Sequence, residues 1–117
     1  MTLRLTPDII EAAYNFIKAT LPFSRWKLPL ADEIEFHVGR AQIYGCHSHE
    51  GGTKHRIMVS EGKVGRTLSL IETIAHECIH LYQAENGLET KNTEHNADFH
   101  KRAKHVCALH GYDPKLF

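Results

Sequence analysis

The chain has few cysteines, no excess charge of either sign and no long apolar run. Its three cysteines form no CxxC pair and are odd in number, which argues against a disulfide framework or a zinc ribbon and favours a reducing compartment. No apolar stretch approaches the ~20 residues that a membrane helix needs, and the N-terminus lacks the apolar core of a signal peptide. The sequence therefore predicts a cytoplasmic protein with no membrane partner.

The balance of acidic and basic residues excludes a strong attraction of charged partners by the net charge of the chain. Lysine and arginine together number 14, as do aspartate and glutamate, so no whole-molecule field draws in nucleic acid. The length of 117 residues, with 42% hydrophobic residues, predicts a single globular domain over residues 1–117 and leaves the oligomeric state open. Histidine is the abundant residue. Its ten copies cluster at 47–55 and 76–110, which points toward metal binding.

Local patterns predict one helix and three strands in the first half of the chain. Thr6 before Pro7 predicts a helix start, and Pro22 is expected to stop the apolar face that follows. The inward residues of this helix are Ile10, Ala13, Tyr14, Ile17 and Leu21. Strands are predicted over 33–38, near 41–44 and over 55–60, with the polar segment GCHSHEGGTK as a hairpin loop between the last two.

A second helix follows in the centre of the chain. Ser69 and Glu72 have the spacing of a capping box, so we expect the helix to begin there and to run to about Asn86, with Gly87 as its stop. The predicted inward residues are Ile71, Ile74, Ala75, Cys78 and Tyr82.

A third helix is expected from about Asn96 to Gly111. Its predicted inward residues are Phe99, Ala103, Val106 and Leu109. The order of helix, three strands, helix and helix predicts an α+β fold, in which a small, mainly antiparallel three-stranded sheet packs with three helices.

The segment HECIH places two histidines four residues apart on the second helix. His76 and His80 differ by about 40° around the axis and about 6 Å along it, so both imidazoles can reach one ion. Glu77 is offset by about 100° and can hydrogen-bond a zinc-bound water without ligating the metal. Zinc lowers the pKa of such a water toward ~7, which makes Glu77 a candidate general base. A histidine-rich chain can contain this motif by chance, but the helical context favours a site.

A catalytic zinc site usually has three protein ligands and one open position. Candidates for the third ligand are His95, His100, His105, Asp98 and Glu94. His95 is favoured because it lies in the turn where the chain returns across the metal helix. His100 and His105 are five residues apart and cannot both face the ion. We therefore predict a Zn²⁺ site of His76, His80 and His95, with His100 or an acidic residue as the alternative third ligand.

The segment LIETIAHECIHLYQ, followed by HNADF, resembles the SprT-like metallopeptidases, a group that includes the Spartan DNA–protein crosslink proteases. In that family the third zinc ligand is the histidine of an HxxxF segment, which His95 matches, and the catalytic glutamate is matched by Glu77. The resemblance covers roughly residues 34–110. It implies a zincin-like minimal metallopeptidase domain, here expected without a C-terminal zinc ribbon.

The leading hypothesis is thus a zinc-dependent endopeptidase that acts on protein substrates, DNA-associated proteins among them. The alternatives are a non-catalytic, zinc-stabilised module that binds protein or DNA, and a zinc hydrolase acting on a small amide or on nucleic acid. A slight basic excess after Lys91 is better interpreted as a solvated helix face than as a DNA contact. Strand 55–60 is expected to form the sheet edge that holds an extended substrate.

The predicted hairpin loop and its flanks carry four residues of metal-binding type: Cys46, His47, His49 and His55. Their spacing matches no compact zinc motif, so a polar loop is favoured over a second metal site or a regulatory thiolate. Tyr82 or a loop histidine is a candidate oxyanion stabiliser, although the inward position of Tyr82 favours packing. Cys78 is interpreted as a small buried apolar residue.

Overall fold

The computed structural model describes residues 4–40, 42–49, 54–64 and 66–117, and these form three α-helices and one three-stranded sheet. The helices are α1 (Pro7–Lys18), α2 (Thr67–Glu85) and α3 (Ala97–His110), and the strands are β1 (Ile34–Gly39), β2 (Gly45–His49) and β3 (His55–Ser60). Two short 3₁₀ helices, Phe23–Arg25 and Ala31–Glu33, connect α1 to β1. The predicted α+β class and number of elements are confirmed.

The sheet is mixed, which corrects the prediction of a mainly antiparallel one. Its strand order is β1-β3-β2, with β3 parallel to β1 and antiparallel to β2. The chain runs up β1, down β2 and up β3, and β3 then inserts between the first two strands. A simple meander would have kept β2 in the centre and every pairing antiparallel.

The central position of β3 also overturns its prediction as the substrate-binding edge. Both of its long edges are paired, and Ile57 and Val59 are fully buried. The edge strands of the sheet are β1 and β2. Of these, β2 packs on α2, the helix that carries HECIH.

The second strand lies later in the chain than predicted. Residues 42–44 form a bend, and β2 occupies most of the segment interpreted as a polar loop. Pairing with β3 satisfies the backbone of this polar stretch, so tertiary contacts override its composition. Ala41 and residues 50–53 of the predicted strand and loop lie outside the described residues.

Helix boundaries follow the predicted signals where a cap is present. Thr6 caps α1, but the helix ends at Lys18, before Pro22, and Leu21 remains 48% exposed. The start of α2 at Thr67 corrects the proposed capping box, since Arg66 is its N-cap and no side chain caps it.

The ends of the last two helices agree with the sequence. Gly87, at φ +66°, follows the C-terminus of α2, and Gly111, at φ +80°, caps α3 in the left-handed conformation. Leu109 is half-exposed, which corrects its assignment to the inward face. The core lies between α1, α2 and the sheet. Within the described residues, no helix is long and apolar enough to cross a membrane.

Candidate metal centre

Three histidines converge between the middle of α2 and the start of α3. His76 and His80 lie on α2, and His95 lies just before α3. One ligand atom from each lies within 4.8 Å of the other two, and no other group of His, Cys, Asp or Glu in the described ranges does so. Their ring centroids are 5.0 to 5.2 Å apart. The structure therefore brings together the three predicted ligands, referred to below as the triad.

The two triad histidines on α2 have the protonation state that a metal requires. Burial first, and then His80 and His95, lowers the pKa of His76 to about 3, against the opposing effect of a backbone hydrogen bond with Phe117. Burial likewise lowers the pKa of His80. Both imidazoles are neutral at physiological pH, and neutral imidazole is the form that binds Zn²⁺. Three imidazole nitrogen donors suit a divalent zinc or copper-class ion.

Phe99 on α3 packs its apolar ring against all three imidazoles of the triad. Its ring centroid lies 4.5 Å from that of His95, 4.7 Å from that of His80 and 4.9 Å from that of His76. The ring is nearly fully buried and stacks on His80 at an interplanar angle of 24°. Packing of this kind restricts the imidazole orientations, so little conformational freedom remains to be lost on metal binding.

Two polar side chains that the sequence analysis missed hold the loop containing His95. The fully buried Gln83 of α2 donates to Asn96 Oδ1 at 3.0 Å and to Asp98 Oδ2 at 2.9 Å. Asn96 caps α3 at the backbone N–H of Phe99 and donates to the carbonyl of Leu88. Because Asn96 adjoins His95, this network fixes the third ligand relative to α2. The signal available in the sequence was a glutamine three residues after His80, on a face otherwise expected to be apolar.

Glu77 lies beside the triad in an unusual electrostatic state. Its side chain is buried, at 4% exposure, and its Oε1 has no hydrogen-bond partner among the described residues. Burial, and secondarily Glu94, raises the pKa of Glu77 to about 8. A buried carboxylate oxygen without a partner is costly unless a water or a cation completes it. The site thus fits a bound ion with an attendant water next to Glu77.

The backbone of β2 approaches Glu77 closely through a glycine. A Cβ at Gly45 would lie 2.7 Å from the carbonyl oxygen of Met58, 2.8 Å from Cγ2 of Thr73 and 3.7 Å from Oε2 of Glu77. Any side chain at this position would force β2 away from α2. Gly45 is therefore a second feature that sequence reasoning missed, since the contact arises only in the folded chain.

A cleft opens from the triad between β2, α2 and the C-terminal residues. Its volume is about 550 Å³, and both His76 and Glu77 line it. The other lining residues are Tyr44, Gly45, Ser69, Glu72, Thr73, Lys115, Leu116 and Phe117. The ring centroid of Phe117 lies 5.3 Å from that of His76, so one wall beside the triad is aromatic.

The alternative third ligands are not assembled with the triad. His100 and His105 are exposed on α3, and the ring of His100 is 6.4 Å from that of His95. Asp98 is engaged by Gln83 and by Arg102. Glu94 is exposed and acts on the site through its charge only.

The other residues that the sequence suggested for function are packed or buried, or lie within the sheet. Tyr82 packs against Trp26, with ring centroids 4.8 Å apart, and lies under the guanidinium of Arg102. Cys78 is fully buried. Burial, then Glu77 and Glu94, raises the pKa of the Cys46 thiol, which disfavours a thiolate. His47 and His49 lie on β2, so their interpretation as part of a polar loop is wrong, whereas His55 begins β3 as predicted.

No protein-family model matches the chain, and a search of curated proteins finds no match.

Proposed function

We propose that the chain is a zinc-dependent endopeptidase of the SprT-like type that hydrolyses protein substrates, including DNA-associated proteins. The observation that carries the proposal is the buried side chain of Glu77, whose Oε1 has no hydrogen-bond partner among the described residues, beside three converging histidines. A purely structural zinc site is normally closed by four protein ligands and needs no such carboxylate. Three ligands, an adjacent base and a cleft are the arrangement of a hydrolytic site.

His76, His80 and His95 would hold Zn²⁺, which when bound supplies a Lewis acid and an activated water. Glu77 takes the proton of the attacking water and passes it to the leaving amine. The pKa of Glu77, raised to about 8 by burial, means that the carboxylate needs a nearby positive charge to ionise at neutral pH. General base activity is thereby coupled to occupancy of the triad.

The substrate would lie along β2 and not along β3. The edge position of β2 leaves one side of its backbone outside the sheet, and Gly45 places this strand against Glu77. An extended peptide can add to such an edge through main-chain hydrogen bonds, whatever its sequence. The aromatic and aliphatic wall of Phe117 and Leu116 favours an apolar side chain next to the scissile bond.

The test compares the zinc-loaded chain with Glu77→Gln on casein and on a quenched fluorescent peptide. Hydrolysis is expected to fall roughly 10²–10⁴-fold with the zinc content unchanged, because the change removes the base and no ligand. Glu11→Gln, on the exposed face of α1, is the matched control and should keep full activity.

Equal activity of the Glu77→Gln variant would contradict the proposal. Absence of hydrolysis in both forms, together with unfolding on metal removal, would favour the non-catalytic zinc-stabilised module. Cleavage of RNA but not of casein would favour a hydrolase of another substrate class.

A further inference from the structure

A second group of three histidines lies on the sheet. This sheet cluster consists of His47 and His49 on β2 and His55 on β3. His49 pairs directly with His55, and His47 lies two residues along the same strand, so all three side chains project from one face. Their ring centroids are 5.2 to 5.6 Å apart. The corresponding distances in the triad are 5.0 to 5.2 Å, so the two groups have similar dimensions.

Two members of the sheet cluster already have the separation of two metal ligands. Nε2 of His47 lies 3.0 Å from Nδ1 of His55, which is a hydrogen bond between the rings. Two imidazole nitrogens bound to one tetrahedral zinc at ~2.0–2.1 Å lie about 3.3 Å apart. The pair could therefore exchange its shared proton for an ion with a small increase in the N–N distance and a rotation of each ring toward the ion.

A carboxylate lies near Nε2 of His55 and another near Nε2 of His49. Nε2 of His55 is 3.4 Å from Oε2 of Glu85, and Nε2 of His49 is 3.0 Å from Oε1 of Glu89. A metal-bound histidine commonly donates its second ring N–H to a carboxylate, which fixes the tautomer and raises the basicity of the ligating nitrogen. This arrangement leaves Nδ1 of both His49 and His55 as ligand atoms, next to Nε2 of His47.

One side chain must turn for the three nitrogens to meet. The triad alone has all its ligand atoms within 4.8 Å of one another, as far as the described residues extend, so the sheet cluster is less converged. The side chain of His49 is 30% exposed and lies at the end of an edge strand, where rotation meets solvent. His55, by contrast, is buried and fixed.

From this geometry we propose that His47, His49 and His55 form a second site for a divalent transition-metal ion of the zinc and copper class. Imidazole nitrogens prefer these ions to magnesium or calcium, and the two carboxylates balance the added charge. An ion here would join β2 to β3 and, through Glu85, to the end of α2. It would thereby fix the edge strand whose other end, Gly45, lies against Glu77. The inference does not rest on the proposed function.

Zn²⁺ titration of the metal-free chain, followed by calorimetry and by elemental analysis after desalting, tests the site. Two equivalents are expected in the unmodified chain, one for each histidine group. His76→Ala combined with His80→Ala should retain one equivalent, whereas His49→Ala should weaken the second equivalent at least tenfold. The controls His37→Ala and His105→Ala change exposed histidines elsewhere and should retain both.

A single equivalent that the His76→Ala/His80→Ala change removes would overturn the inference. So would a second equivalent that persists at full affinity in His49→Ala and in Glu89→Gln, two changes at partly exposed positions that circular dichroism can verify as folded. A single equivalent lost in His49→Ala but retained without His76 and His80 would support the sheet cluster while contradicting the proposed function. A repeat with Cu²⁺ then ranks the two ions.

Discussion

The triad and the sheet cluster each consist of three histidine side chains at similar spacing, yet their surroundings differ. Phe99 packs its apolar ring against the triad, and Oε1 of the adjacent Glu77 has no hydrogen-bond partner among the described residues. In the sheet cluster, the rings of His47 and His55 share a hydrogen bond, Glu89 bonds Nε2 of His49, and Glu85 lies 3.4 Å from Nε2 of His55. Histidine spacing therefore defines a metal-binding site, whereas a buried carboxyl group without a partner, beside a cleft, distinguishes a site for chemistry.

Removal of one histidine ligand should give the largest difference in metal affinity between the triad and the sheet cluster. Structural zinc sites gain ~10–16 kcal/mol over four ligands, so His80→Ala should weaken the tighter equivalent by about 3 kcal/mol, or roughly 100-fold. His49→Ala should leave that tighter equivalent unchanged, since His49 lies in the other group. Competition with a chromophoric chelator measures both affinities. A tight equivalent that survives His80→Ala would remove the triad as the principal metal site.

The titration of Glu77 gives the next effect, in the metal-free chain. The folded state holds this proton up to about pH 8, whereas the unfolded chain releases it near 4.5, so stability declines as pH rises between these values. Glu77→Gln removes that decline, and at pH 6.5 the variant should be more stable by about 2–3 kcal/mol. Below pH 4.5 the two chains should be alike.

Urea unfolding across the pH series measures this difference in the free energy of unfolding. Glu11→Gln controls for the loss of a carboxylate as such. Zinc should abolish the advantage of the variant, because a cation beside Glu77 favours its ionised form. An advantage of Glu77→Gln that is the same at pH 4 and pH 8 would show that burial does not control this carboxylate.

Gly45 connects the two groups through β2, and adding one methyl group there should disturb the triad side. Gly45→Ala would place a Cβ 2.7 Å from a backbone oxygen, so the strand must shift at a cost of about 2 kcal/mol. The matched control is Gly62→Ala, whose Cβ would meet only Ser60 Oγ at 3.8 Å. Thermal unfolding compares them, and equal melting temperatures would mean that β2 does not approach α2 this closely.

The triad could be predicted from the sequence because its determinants are local. Helical spacing brings His76 and His80 together, and the N-cap Asn96 defines where the next helix starts, immediately after His95. No long-range information is needed except that α3 returns across α2. Gly111 and Gly87 marked helix ends for the same reason, since a left-handed residue needs no tertiary contact.

The sheet cluster and the sheet order could not be predicted in the same way. Whether His49 lies opposite His55 depends on register between strands, which pairing decides and composition does not. A polar, glycine-bearing segment has the composition of a loop, but β3 supplies it with backbone partners. The insertion of β3 between β1 and β2 is likewise a long-range event, and it moved the free sheet edge from the predicted strand to β2.

The smallest expected effect concerns Gln83, which positions a triad ligand without contacting the metal. Gln83→Met keeps the side-chain volume but removes both hydrogen bonds to the start of α3, at Asn96 and Asp98. Outer partners of this kind contribute roughly 10-fold or more to metal affinity, so we expect a tenfold weaker tight equivalent. The sheet cluster should be unaffected, because the hydrogen bonds of Gln83 go to the start of α3. Gln42→Met, at an exposed bend, is the control. A variant that melts earlier but binds the tight ion unchanged would assign Gln83 to stability alone, and the loop of His95 would then be held by Asn96 through Leu88.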